Sequence, residues 1–76
     1  MVIAKRLSAY VFVSCHQPKR VVQALKRLPG VTRADLLLGS EAVLLIEEKN
    51  FEALQLRLVE VQATPGVRKV SVRLAA

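Results

Sequence analysis

Residues 21–31 read VVQALKRLPGV and residues 58–67 read LVEVQATPGV, so Pro29-Gly30-Val31 returns 36 residues later as Pro65-Gly66-Val67. Each tripeptide separates a helical pattern from a strand-like one. Each half also opens on an apolar run, residues 9–15 (AYVFVSC) and residues 42–46 (AVLLI). The order is therefore strand, helix, strand, twice over.

Gln17-Pro18 opens the first helix, with the proline in the first turn, where its missing N–H would have no helical partner anyway. At about 100° per residue, Val21, Ala24, Leu25 and Leu28 gather on one side, and Lys19, Arg20, Gln23, Lys26 and Arg27 fill the other. Leu28 precedes a proline and is biased out of the helical region, while Gly30 can take the left-handed conformation that ends the helix. The second helix starts at Asn50, a favourable N-cap, with Glu52 near the positive helix end. Its core stripe is Phe51, Leu54, Leu58 and Val61. Leu56, Val59 and Ala63 form a second apolar strip that points elsewhere, which predicts a partner for that face.

The first strand is apolar on both sides, through Ala9, Val11, Val13 and Cys15 on one and Tyr10 and Phe12 on the other. The third is too, through Ala42, Leu44 and Ile46 against Val43 and Leu45, so both belong in the sheet centre. Arg33 and Asp35 in the second strand, and Lys69, Ser71 and Arg73 in the fourth, suit edges, where charge discourages stray pairing. Right-handed crossovers then give the order 4-1-3-2: an α+β, ferredoxin-like βαββαβ fold, four antiparallel strands with two helices on one face. Gly39-Ser40 is the hairpin between strands two and three. One sheet face is left without helices although the central strands are apolar there, so a second copy is expected to cover it, as in a dimeric α+β barrel. The oligomer interface is expected at Tyr10, Phe12, Leu44, Ile46, Leu56 and Val59.

The 76 residues are 53% hydrophobic, and a chain this short buries only about 60% of the surface its unfolded form exposes. Self-association follows from that arithmetic. Twelve Lys and Arg against six Asp and Glu give +6, which favours acidic partners without naming one. One cysteine and one histidine rule out a disulfide framework and a zinc cluster within the chain. The longest run without a charged residue, residues 7–18, is too short to span a bilayer, which needs about 20 apolar residues. Lys5 and Arg6 followed by residues 7–13 and Ser14-Cys15 faintly suggest an export signal, but processing would remove the best strand in the chain. A reduced, cytoplasmic protein is expected, with residues 1–8 an N-terminal arm or an extra strand segment.

Catalysis finds little support. Cys15 and His16 are neighbours in a strand and point to opposite faces, so they cannot form a nucleophile–base pair. The carboxylates show no pairing suited to acid–base work, and residues 14–18 contain no glycine for a phosphate cradle. Lys19, Arg20, Lys26 and Arg27 share one helix face. Sequence-specific RNA recognition is not expected, because Tyr10 and Phe12 lie on a single strand and the third strand has no aromatic. Weak nonspecific attraction to polyanions is.

Taken in order, AYVFVSC, VVQALKRLPGV, LLLGSEAVLLIE and NFEALQLRLVEVQATPGVRKVSVRL resemble the ligand-sensing RAM domain of the Lrp/AsnC regulators, over about residues 9–74. The resemblance implies one RAM-like domain over residues 1–76, standing alone without the DNA-binding domain that precedes it in those regulators. It implies face-to-face dimers joined into rings, no cofactor or metal, and an amino-acid-type effector bound between dimers. The family's pocket combines the glycine hairpin after strand two with a stretch after the second Pro-Gly-Val. Here that implies Gly39, Ser40, Glu41 and Ala42 with Lys69, Val70, Ser71 and Val72. Ala42 stands where the family places an acid, with Glu41 one position earlier. Val70 and Val72 fall on the family's threonine positions, which implies a partly apolar ligand.

The expected function is thus a non-enzymatic, oligomeric sensing and assembly module of transcription regulation, able to co-assemble with a full-length Lrp/AsnC regulator. The alternative is a small enzyme of the dimeric α+β barrel type, using the cavity between paired sheets. Tyr10, Ser14 and Glu48 are the polar groups visible for that role.

Overall fold

The computed structural model describes residues 6–75. Its elements are β1 (Leu7–Cys15), α1 (Pro18–Lys26), β2 (Val31–Leu36), β3 (Glu41–Glu48), α2 (Phe51–Ala63) and β4 (Val67–Leu74). The sheet order is β2-β3-β1-β4 with every neighbouring pair antiparallel. This is the expected 4-1-3-2 order read from the other edge, and the fold is the ferredoxin-like βαββαβ. Leu7 and Ser8 extend β1, and the rest of the expected arm lies outside the described residues apart from Arg6.

Register fixes which face each side chain takes. Ala9 pairs with Ile46, Val11 with Leu44 and Val13 with Ala42, and all six are fully buried beneath the helices. Val21, Val22 and Leu25 of α1 and Leu54 and Val61 of α2 close the core above them. The expected interface set is corrected here: Leu44 and Ile46 are 0% exposed and belong to this core. The helix-free side of β3 carries Val43 and Leu45 instead. Ala42, expected at the ligand site, is likewise 0% exposed and packs under the helices.

The helices are rotated slightly from the expected stripes. Val22 rather than Ala24 is buried in α1, because the buried arc centres on Leu25 and Ala24 lies about 100° round from it. In α2, Phe51 is 54% exposed, sitting in the first turn and about 60° off the line from Leu54 to Val61. Asn50 caps α2 as expected, its Oδ1 accepting from the Ala53 N–H at 2.8 Å. The α1 cap is different in kind: Gln17 has φ 51° and no side-chain bond, and Pro18 starts the helix from that left-handed residue.

Both Pro-Gly-Val turns need their glycine twice over. Gly30 (φ 87°) and Gly66 (φ 95°) are in the left-handed region, and a β-carbon would strike the Glu48 carboxylate at the first and Val21 Cγ2, at 2.7 Å, at the second.

Candidate effector site and the open sheet face

Antiparallel register arranges the helix-free face in rows. The first is Glu41, Ser14 and Lys69 across β3, β1 and β4. The second is Asp35, Val43, Phe12 and Ser71, and the third is Arg33, Leu45, Tyr10 and Arg73. Phe12, Val43 and Leu45 are half-buried and Tyr10 is 46% exposed, so the centre is apolar while the rim is charged. On that rim the Arg33 Nε meets Asp35 Oδ2 at 2.8 Å. An apolar centre inside a polar rim is the anatomy of a protein–protein interface.

The hairpin and the start of β4 meet at the end of β1. The Cys15 N–H donates to the Ser40 carbonyl at 2.9 Å, and the His16 N–H donates to the Gly66 carbonyl at 2.8 Å. Gly39 (φ 81°) leaves open space around its α-carbon, so the hairpin backbone is accessible. Where β4 pairs with Cys15 the register shifts at Ser14/Cys15, and the Arg68 guanidinium stands against the His16 ring, 2.6 Å from Nε2. Cys15 itself is buried, and burial pushes its thiol above its ordinary range, so it is a poor nucleophile.

Of the eight expected ligand residues, the structure brings Gly39, Ser40, Glu41, Lys69 and Ser71 to one end and one face of the sheet. It separates the others. Val70 pairs with Val13 and Val72 with Val11, which puts both valines on the helix side, opposite Lys69 and Ser71. Alternation along a strand forbids all four from lining one pocket. Ser14 stands between Glu41 and Lys69; of the three polar groups expected in a cavity between paired sheets, Tyr10 and Ser14 are on the helix-free face and Glu48 is not. Val43 and Leu45 take the helix-free side in place of the expected Leu44 and Ile46, because register sets Phe12 opposite Val43 and Tyr10 opposite Leu45. Both faces of this strand are apolar in sequence, and Glu48 shares the helix-side parity of Leu44 and Ile46. The structure shows Glu48 compensated there, with Arg57 Nε at 2.9 Å from its Oε2.

Among the described residues no group of His, Cys, Asp and Glu is placed to hold a metal ion, and no helix is long and apolar enough to cross a membrane.

No family model matches the chain, and no curated protein matches it. Solved structures do. TTHA0845 from Thermus thermophilus superposes with TM-score 0.84 at 22% identity, covering 92% of each chain. The hypothetical protein PHS023 from Pyrococcus horikoshii gives 0.83 at 18% identity, covering 92% of this chain and 89% of its own. The transcriptional regulator NMB0573 of Neisseria meningitidis, in its complex with L-Met, gives 0.78 at 17% identity and covers 92% of this chain. The fold is shared. This chain spans 49% of that regulator's length, so the likeness is to one part of it. The ferredoxin-like βαββαβ fold expected from the ordered motifs is the fold this chain shares with these neighbours.

Proposed function

We propose that this chain is a non-enzymatic sensing and assembly module of the Lrp/AsnC RAM type, acting as an oligomer that takes an amino-acid-type effector. One observation carries the reading: Tyr10, Phe12, Val43 and Leu45 form an apolar centre on a sheet face that has no helices over it. A second copy applied sheet to sheet covers that centre and brings the charged rims together. The likeness in fold to a regulator solved with L-Met supports the sensing role.

The effector site proposed is the row at the end of β1, shared between subunits. Glu41 and Lys69 stand two strand spacings apart, about 10 Å between backbones, with the Ser14 hydroxyl between them. Such a span suits a zwitterion, its ammonium toward Glu41 and its carboxylate toward Lys69 and the exposed N–H groups of the Gly39 hairpin. Phe12 and Val43, in the next row, meet an apolar side chain. Dimers joining into rings, and co-assembly with a full-length regulator, extend the same reading.

Sedimentation at micromolar concentration tests the assembly: the expected species is at least twice 8.4 kDa, and Phe12→Glu should return it to the single-chain mass while keeping its far-ultraviolet circular dichroism. A wild-type protein that sediments only at 8.4 kDa refutes the pairing. Thermal shift over the twenty amino acids tests sensing, since a ligand that binds only the folded state raises Tm with concentration. The responding amino acid should lose its effect in Lys69→Ala.

A further inference from the structure

The net charge of +6 is not spread over the molecule. Residues 1–34 contain seven Lys and Arg and no Asp or Glu, whereas residues 35–76 contain five against six. Helix α1 takes the largest share. Lys19, Arg20, Lys26 and Arg27 are all exposed, and with Gln23 and Ala24 they make up its outer face. Arg68, at the start of β4, joins the same end of the sheet through His16, which immediately precedes Gln17 and α1.

Among the described residues none of these five cations has a carboxylate partner. The ion pairs there are Arg33 with Asp35, and Arg57 with Glu48 and Glu60. Helix α1 has no acid in its first turn, and Lys19 and Arg20 occupy that turn, where the helix dipole opposes positive charge. Lys26 and Arg27, at the other end, are favoured by the dipole, so it is at Lys19 and Arg20 that a facing anion relieves an unfavourable placement.

We propose that the outer face of α1 is a docking surface for the sugar-phosphate backbone of duplex nucleic acid, without sequence preference. The pattern favours a repeating anion. Lys19 and Lys26 lie on one ridge and Arg20 and Arg27 on the next, and each pair is seven residues apart, about 10.5 Å along the axis. A major groove admits an α-helix between two rows of phosphates. A membrane surface fits less well, because interfacial helices insert bulky apolar residues beside their cations, and α1 exposes only Ala24. The lysines and arginines of this face can bond a guanine edge and Gln23 an adenine edge, but no described side-chain hydrogen bond or ion pair holds any of them toward one base, so affinity is assigned to phosphates and not to sequence. The surface lies on the opposite side of the sheet from the Phe12 and Val43 patch, so it remains open in a sheet-paired dimer and does not depend on the pairing.

The test is fluorescence anisotropy with a labelled 30-base-pair duplex of mixed sequence, titrated with full-length protein in KCl from 50 to 200 mM. Four neutralised phosphates predict a slope of log Kobs against log[KCl] of about −3.6, a weakening of about 150-fold across that range. Lys19→Gln with Lys26→Gln should halve the slope to about −1.8, so the same salt step weakens binding only about 12-fold. Arg6→Gln with Lys49→Gln removes the same net charge elsewhere and should leave the slope near the parental value. Equal losses in the two double variants would reduce the effect to overall charge and overturn the proposal. So would binding to phosphatidylglycerol vesicles in the absence of duplex binding, or no duplex binding at 50 mM KCl. Sedimentation of the same samples reads the sheet pairing separately, so failure of one reading leaves the other standing.

Discussion

The carboxylate of Glu48 occupies the space that a β-carbon on Gly30 would need, while its Oε2 takes the Arg57 Nε at 2.9 Å. The Gly30 carbonyl also accepts the Glu47 N–H at 2.8 Å, so the first Pro-Gly-Val turn is tied to the end of β3 by backbone and side chain together. A motif that looks like a helix terminator in sequence is therefore also a seat for an ion pair.

Gly30→Ala should accordingly cost more than Gly39→Ala. Both glycines have positive φ, which costs a non-glycine residue about 1–2 kcal/mol. Only Gly30 has a neighbour in the way, since nothing lies within 4 Å of a β-carbon built on Gly39. Urea denaturation should show a loss of about 1 kcal/mol for Gly39→Ala and about 2–4 kcal/mol for Gly30→Ala. Equal losses would place the Glu48 side chain elsewhere.

The Glu48–Arg57 pair predicts an asymmetry. Arg57 has two acceptors, Glu48 and Glu60, the second at 2.8 Å, and the Glu48 hydrogen bond is the main reason its guanidinium is held above its ordinary range. Glu48 has Arg57 alone among its described ion partners, and its side chain is only 12% exposed. Removing Arg57 strands a nearly buried carboxylate, whereas removing Glu48 leaves Arg57 on Glu60. Arg57→Ala should cost about 2–3 kcal/mol, somewhat below the fully buried case because both groups keep some solvent, and Glu48→Gln about 1 kcal/mol. Chemical denaturation of the two variants checks the order.

The fold was legible because its signals agree across levels: the repeated turn, proline at one helix start, asparagine at the other, and charged edge strands. What was misread came from parity. Glu47 and Glu48 end β3 on opposite faces, and a sequence cannot say which of the two is solvated until Arg57 is seen to cross over from α2. Val43 and Leu45 are as apolar as Leu44 and Ile46, so only register shows that the first pair is on the helix-free side. At the candidate site, the resemblance points to Glu41 through the glycine hairpin and to Lys69 through the stretch after the second Pro-Gly-Val, and register puts both in one row with Ser14. Val70 and Val72 come from the resemblance, as the family's threonine positions, and alternation places them on the other side of β4 from Lys69 and Ser71.

Cys15 gives a pH dependence with a defined sign. Burial raises its thiol above the ordinary value of 9.0, so the folded chain keeps a proton that the unfolded chain gives up. Above about pH 9 the folded state binds more protons than the unfolded state, and stability must fall as pH rises. Cys15→Val keeps the apolar character of the side chain and removes the titration, and its extra methyl shifts the whole curve without adding a pH dependence. Thermal melts from pH 7 to 10.5 should show a steeper decline above pH 9 for the parent than for Cys15→Val. Parallel curves would mean that the thiol is not desolvated.

The outer side of α2 carries the last prediction. Leu56 and Val59 are 67% and 60% exposed and, with Glu52 and Gln55, line a shallow recess of about 370 Å³ on the surface. They lie on the far side of the helix from Leu54 and Val61, which are buried, so α2 is apolar in two directions and only one is covered among the described residues. If sheet pairing uses the open face, this strip is what joins one dimer to the next. Leu56→Glu with Val59→Lys should therefore stop assembly at the dimer, and because neither side chain is in the core, Tm should stay within a few degrees of the parent. Sedimentation equilibrium of parent and variant decides it. A variant that keeps the parental mass would show that the strip is solvated surface, and one that unfolds would show that α2 is seated differently on the sheet.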